Sequence, residues 1–263
     1  MTPPLIKTET PEADAIVTEL DISHLVIEDD SPVDNFQSEK QQRLLVEPLY
    51  SSQCLPTPFL AAANVGLFYK LHGEPIVPDV FLSLGVECAS DFSQRRNRTY
   101  FVWEFGKAPD VCIEIVSNPD GDEVALSQRS KRKGKNACKK DIYAQVGVPY
   151  YVVFDPLQQI QGETEMQGAL LRVWTLTGGQ YRELTPADGI VNVSQSVWLG
   201  TIGLGLTLWD GSFEETAIRT WLRWCNAQGQ VILTGAEGQE AERQRADLLA
   251  QKLRELGINP DEV

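Results

Sequence analysis

At 263 residues, with 42% hydrophobic and 8% aromatic side chains, the chain has the apolar mass for a sizeable core, which excludes an intrinsically disordered protein. Five cysteines (54, 88, 112, 138 and 225) include no CxxC pair, which excludes a disulfide framework and a structural zinc site. A net charge of −14 argues against a broad nucleic-acid footprint, because phosphate binding is driven by basic surface.

The charge is unevenly spread. Residues 1–31 hold eight acids against one lysine, half of the whole excess, and residues 1–33 read as an acidic, flexible arm. No basic, then apolar leader stands at the start, and no apolar run approaches the roughly 20 residues that span a bilayer, so the expected compartment is the cytoplasm, with no membrane contact. Residues 35–50 have helical spacing, with Ser38 as the expected cap. A Ser/Pro break follows, then a short helix is expected through 59–64. Strands are expected over 76–84, 99–105 and 110–117, each rich in β-branched and aromatic residues.

Residues 118–135 are rich in Gly, Asp, Ser and Lys and read as a loop, leading to a helix near 136–146. Within this stretch, 129–140 holds seven cations and no acid, and Arg95, Arg96 and Arg98 form a smaller cluster. A buried strand over 149–156 ends at a proline. Strands are expected over 169–176, 181–185, 190–199 and 204–210, then helices over 213–225 and 237–256. The first of these helices places Ile218, Trp221 and Leu222 at helical spacing, and the second could pair with another copy as a short coiled coil. This order of elements predicts an α/β chain with an α+β mixed sheet. No GxGxxG or GxxxxGK[ST] signature supports a nucleotide-cofactor site.

The segment 110–117 carries the chemistry. Alternation along a strand sends Asp110, Cys112, Glu114 and Val116 to one face and Val111, Ile113 and Ile115 to the other. An ionised Glu114 inside so apolar a strand needs a cation or hydrogen bonds. Asp79 follows Pro78 at the start of one apolar strand, and Asp110 follows Pro109 at the start of another. Lys139 and Tyr143, four residues apart, share one face of the following helix. Carboxylates from adjacent strands form an oxygen cage suited to Mg²⁺ or Mn²⁺, and a nearby ammonium can stabilise charge on a phosphate. Only His24 and His72 are present, and His72 lies in a turn-like Leu-His-Gly-Glu-Pro context. Cys112 has no histidine near it in sequence and reads as packing, and Glu104 is a polar residue within an apolar strand.

The order Pro78-Asp79, Glu114-Ile-Val-Ser, Lys139, Tyr143 and Gly147-Val-Pro-Tyr-Tyr-Val-Val-Phe-Asp155 resembles the Uma family of endonucleases, in the PD-(D/E)xK restriction-endonuclease-like superfamily. The likeness is strongest over 76–156. It implies a restriction-endonuclease-like core with helices flanking a central mixed sheet, extra C-terminal β structure and a helical tail, divided as 1–33, 34–211 and 212–263. It also implies a Mg²⁺- or Mn²⁺-dependent hydrolase of DNA phosphodiester bonds, with Asp79, Glu114 and the Ile115 carbonyl as metal ligands. Lys139 would be the catalytic ammonium, with Lys140 the alternative, and Asp110 an auxiliary acid. The superfamily lysine two residues after the acid is replaced by Val116, which nominates the helix lysine instead. Glu39, Gln41 or Gln42 from the first helix would complete the shell. Two other functions compete. One is a nuclease fold acting as a binding or regulatory module that self-associates as a homodimer through 237–256. The other is a carboxylate-pair glycosidase, which explains two acids but not the basic loop.

Overall fold

The computed structural model describes residues 35–119 and 121–260. The expected acidic arm lies outside them. In chain order the elements are α1 (Phe36–Ser51), β1 (Phe59–Ala63), β2 (Leu67–Phe68), β3 (Val80–Leu84), a 3₁₀ turn (Arg95–Arg98), β4 (Tyr100–Phe101) and α2 (Val102–Phe105). Then follow β5 (Val111–Ile115), α3 (Gln128–Arg132), α4 (Lys139–Val146), β6 (Tyr150–Phe154), β7 (Leu171–Thr177) and β8 (Gln180–Glu183). The chain ends in β9 (Ser196–Leu199), β10 (Leu204–Gly211), β11 (Arg219–Cys225) and α5 (Gly235–Glu255).

A six-stranded sheet in the order β1-β3-β5-β6-β7-β8 forms the centre. Only β5 and β6 run parallel; the other neighbours are antiparallel. A parallel pair needs a crossover, and here the crossover is the segment 116–149 with α3 and α4. One face of the sheet packs Val80, Leu82, Ile113, Ile115 and Val152 against Leu45 of α1 and against Leu206, Leu222 and Trp224 of a second sheet, β11-β10-β9. The other face packs Phe81, Cys112, Tyr151 and Val153 against Tyr143 of α4. With both faces covered, β5 and β6 are buried at every position, which explains their near-continuous apolar sequence.

Four local expectations are corrected. The cap of α1 is Asn35, whose Oδ1 accepts from the amides of Gln37 and Ser38 at 2.9 Å, while Ser38 itself is buried inside the helix. Residues 59–63 form an edge strand, paired from Phe59↔Leu84 to Ala63↔Val80; three alanines favour helix alone, but sheet pairing overrides that preference. Of the strand expected over 99–105, only Tyr100–Phe101 is extended, and one helical turn follows, closed by Gly106 at φ 71°. The helix expected over 213–225, the first half of the supposed helical tail, is instead loop and β11, paired with β10 from Gly205↔Cys225 to Gly211↔Arg219. Ile218 is exposed, and residues 221–225 are buried consecutively because that strand is covered on both faces.

Gln41, one of the helix-1 residues considered for the site, has a structural post. Its Nε2 donates to the Leu222 carbonyl at 2.8 Å and its Oε1 accepts from the Leu222 amide at 3.0 Å. A side-chain amide thereby closes the outer edge of β11, while Trp224 Nε1 donates to the Leu45 carbonyl at 2.8 Å alongside. Removing the amide orphans two buried backbone groups. Gln41→Leu is expected to lower the unfolding free energy in urea by about 2–4 kcal/mol. A loss below about 0.5 kcal/mol would show that β11 does not depend on this clasp.

Candidate active site at the carboxyl end of β5

Glu114 has no exposed surface. Its Oε2 receives the Lys139 ammonium at 2.7 Å and its Oε1 the Tyr143 hydroxyl at 2.6 Å, so both donors come from one face of α4. The start of that helix is fixed by the preceding loop rather than by a side-chain cap: the amides of Lys139 and Lys140 donate to the carbonyls of Asp122 and Glu123 at 2.7 and 3.1 Å. The loop is itself braced by Asp122, whose carboxylate accepts from the Ser127 amide at 3.0 Å and from Lys135 at 3.1 Å.

Asp79 enters from the start of β3. Its Oδ2 accepts from the Ile115 amide at 2.7 Å, and its Oδ1 from Gln42 Nε2 at 3.0 Å. Gln42 is held by Asn64, which donates to its Oε1 at 2.9 Å. Because the amide and carbonyl of one strand residue share a side, the Ile115 carbonyl faces the Asp79 edge of β5 as well. Glu123 completes the group: its Oε1 lies 3.5 Å from the Lys139 ammonium. A cleft of about 720 Å³ opens onto Glu123 and Lys139 and is rimmed by Tyr69, Lys70, Gln145 and Lys135.

The electrostatics follow from this crowding. Burial pushes the Glu114 carboxyl up to about 8, with Lys139 opposing the rise and Asp79 and Glu123 adding to it. Burial also raises Glu123. Burial disfavours the charged Lys139, but Glu114 and Glu123 outweigh it and hold the ammonium above its ordinary value. Two carboxylates thus share one ammonium, and the charge of Asp79 bears on the same group.

Asp79, Glu114, Lys139 and the Ile115 backbone therefore come together, and of the three helix-1 residues only Gln42 reaches them. Asp110 does not: at the opposite end of β5 it accepts from the Leu84 amide at 2.7 Å and from Lys107 at 2.6 Å. Glu39 is bound to Arg43, and Lys140 lies over the Trp174 ring at 5.0 Å. Glu104 sits 4.0 Å from Arg96. His72 is in an exposed turn, and the buried Cys112 thiol is raised well above its ordinary value by burial. Sequence reasoning missed Glu123. Its only signal was an acid after Gly121-Asp122 in a polar loop, and polar composition does not reveal that this loop folds inward.

A central mixed sheet with acids at the end of its parallel pair, and with a lysine from the crossover helix, defines a restriction-endonuclease-like α+β protein. The family model Uma2, described as "Putative restriction endonuclease", matches residues 20–204, well over half of the sequence, and the chain belongs to that family. No curated protein and no solved structure matches the chain. Among the described residues, no helix is long and apolar enough to cross a membrane.

The raised Glu114 gives a pH signature. The folded chain retains a proton that the unfolded chain releases near the ordinary value of 4.5, so this contribution to stability is full below that pH and is lost as pH rises towards about 8. In chelator, the melting temperature of the unaltered protein is expected to fall between about pH 5 and about pH 8, and Glu114→Gln to flatten that fall. Parallel slopes for the two proteins would remove Glu114 as the source.

Proposed function

We propose that the protein is a metal-dependent endonuclease hydrolysing DNA phosphodiester bonds, with Mg²⁺ or Mn²⁺ held by Asp79, Glu114 and the Ile115 carbonyl. The observation that carries this reading is the convergence of two acids: Asp79 is hydrogen-bonded to the Ile115 amide, directly beside the buried Glu114, and its charge bears on that carboxylate. A hard divalent cation with oxygen ligands matches both the charge and the donor type of these two acids and the Ile115 carbonyl. Among the described residues no group of three metal-ligating side chains stands ready-made. An ion would therefore take the place that the lysine ammonium holds on Glu114. The donor set fits, with that exchange as its condition.

Such an ion supplies Lewis acidity and charge neutralisation at a scissile phosphate. The chain's own residues do the rest. The Ile115 amide and Gln42 fix the Asp79 carboxylate, and Tyr143 fixes one Glu114 oxygen, so both acids are oriented in advance. Lys139, with a third of its side chain open to the cleft, donates to a water or to a phosphate oxygen. Lys70 on the cleft rim, and exposed Lys131, Arg132 and Lys133 beyond it, meet the phosphate backbone. Asp110, bonded elsewhere, has no part in the chemistry.

The second reading, a binding module that associates through α5, rests on that helix: it buries no residue, and Leu248, Leu249 and Leu256 are all more than half exposed. A shift in size-exclusion volume on removing 235–263 would favour it.

Nicking of plasmid DNA at low salt with Mg²⁺ or Mn²⁺ is the direct test. Glu114→Gln and Asp79→Asn are expected to abolish cleavage, Lys139→Met to reduce it by about 10²-fold or more, and Asp110→Asn and Lys140→Ala to leave it within about threefold. Undiminished nicking by Glu114→Gln would refute the assignment. Because so acidic a chain gains DNA affinity mainly from a few cations, activity should fall steeply as salt is raised.

A further inference from the structure

The loop that leads into α4 buries an acid and leaves one of its two oxygens unused among the described residues. Glu123 is fixed through its backbone, whose carbonyl accepts from the Tyr151 hydroxyl at 2.9 Å and from the Lys140 amide at 3.1 Å. Its side chain is more than nine-tenths buried, yet Oε2 has no hydrogen-bond partner among the described residues. An unmet buried acceptor costs about 1–3 kcal/mol, so a residue serving stability alone would not be expected here. The position is also cradled: a Cβ on Gly121 would stand 1.9 Å from Glu123 Oε2, so a side chain at 121 would displace the carboxylate. Glu123 meets the same ammonium as Glu114, at 3.5 Å rather than 2.7 Å. It is not grouped with Asp79 and Glu114 as a ready three-ligand set.

We infer that Glu123 is a positioning residue, the second anchor that keeps the Lys139 ammonium in the site when the oxygens of Glu114 are engaged by another cation. This deepens the nuclease reading and rests on it. The physical need is plain. A cation arriving on Glu114 removes the closest partner of Lys139 and repels its charge, and a side chain one-third exposed can then swing to solvent. A carboxylate close by, already facing the ammonium and carrying an unused oxygen, holds it inside the cleft. An ammonium has three donors, so it can bond Glu123 and still present a donor to substrate.

Glu114→Gln imitates the engaged state without any ion or DNA. Reductive methylation of Lys139 in chelator, followed by peptide mass spectrometry with exposed Lys133 as the internal reference, reads how firmly the ammonium is held. Lys139 should remain slow in Glu114→Gln and become faster by about tenfold or more in Glu114→Gln/Glu123→Gln. Gly121→Ala added to Glu114→Gln should also speed it, since the carboxylate is displaced with its charge intact. Equal rates in Glu114→Gln and the double variant would overturn the inference, while unchanged rates at Lys133 exclude general unfolding as the cause. Calorimetry then separates anchor from ligand: Glu123→Gln should weaken Mn²⁺ binding by at least about tenfold less than Glu114→Gln does. A loss as large as that caused by Glu114→Gln would make Glu123 an ion ligand and overturn the positioning role. Failure of the unaltered protein to bind Mn²⁺ or cut DNA would overturn the nuclease reading, whereas the methylation contrast stands or falls independently.

Discussion

A carboxylate placed in the interior, on a strand covered from both sides, dictates much of the surrounding architecture. Glu114 cannot be buried alone, because desolvating an unpaired charge costs more than a small domain can bear. Its partners come from α4, and α4 can meet it only because β5 and β6 are parallel. A parallel pair requires a crossover, and the crossover brings the start of a helix back over the end of the first strand. The loop before α4 then decides where Lys139 points. Its carbonyls at 122 and 123 bind the first amides of the helix, and Asp122 secures the loop through Ser127 and Lys135. The site is thus tied to the topology of the sheet rather than added to its surface.

The same geometry reconciles an acidic chain with a proposed anionic substrate. Several cations are committed to internal tasks: Lys107 to Asp110, Arg172 to Glu183, Arg223 to Glu237, and Arg43 to Glu39 and Glu214. The 129–140 run is divided too, since Lys139 turns into the site, Lys140 covers Trp174 and Lys135 braces the loop, leaving Lys131, Arg132 and Lys133 outward. Arg223 also shows how the C-terminal helix is mounted: it pairs with Glu237, which is the reciprocal member of the capping box with Thr234. The first turn of α5 is therefore anchored to β11, and the later turns carry no buried residue.

How much of this was legible in the sequence depended on whether the signal was local. Alternation placed Glu114 and Cys112 on one face because β5 is regular, and the four-residue spacing put Lys139 and Tyr143 together because α4 is helical where it counts. The elements misread were those whose conformation is set by distant partners. Phe59–Ala63 has helix-favouring alanines but completes the edge of a sheet, and Arg219–Cys225 mimics a helical stripe while pairing with β10 and lying against α1, with residues 221–225 all buried. Glu123 was illegible for a related reason. Its loop is polar in composition, and its inward turn depends on backbone bonds to α4 that no residue pattern announces.

Asp79 and Asp110 show how far a motif can be trusted. Both follow a proline and precede a strand, and the two strands are antiparallel neighbours, β3 and β5. Each carboxylate accepts the amide at the far end of the other's strand: Asp79 takes the amide of Ile115, and Asp110 that of Leu84. The pair forms a reciprocal clasp at the two ends of one ladder, and this structural duty explains both Pro-Asp steps equally well. What separates them is the end of the sheet on which each falls. Asp110 lies where Lys107 can neutralise it in full. Asp79 lies at the carboxyl end of the parallel pair, where crossover connections leave crevices and where ligands bind in open α/β sheets. There it stands beside Glu114, at the end of the sheet where Glu114 and Glu123 share one lysine. The motif therefore marks a strand clasp in both places, and topology alone sets one of the two at the proposed ion site.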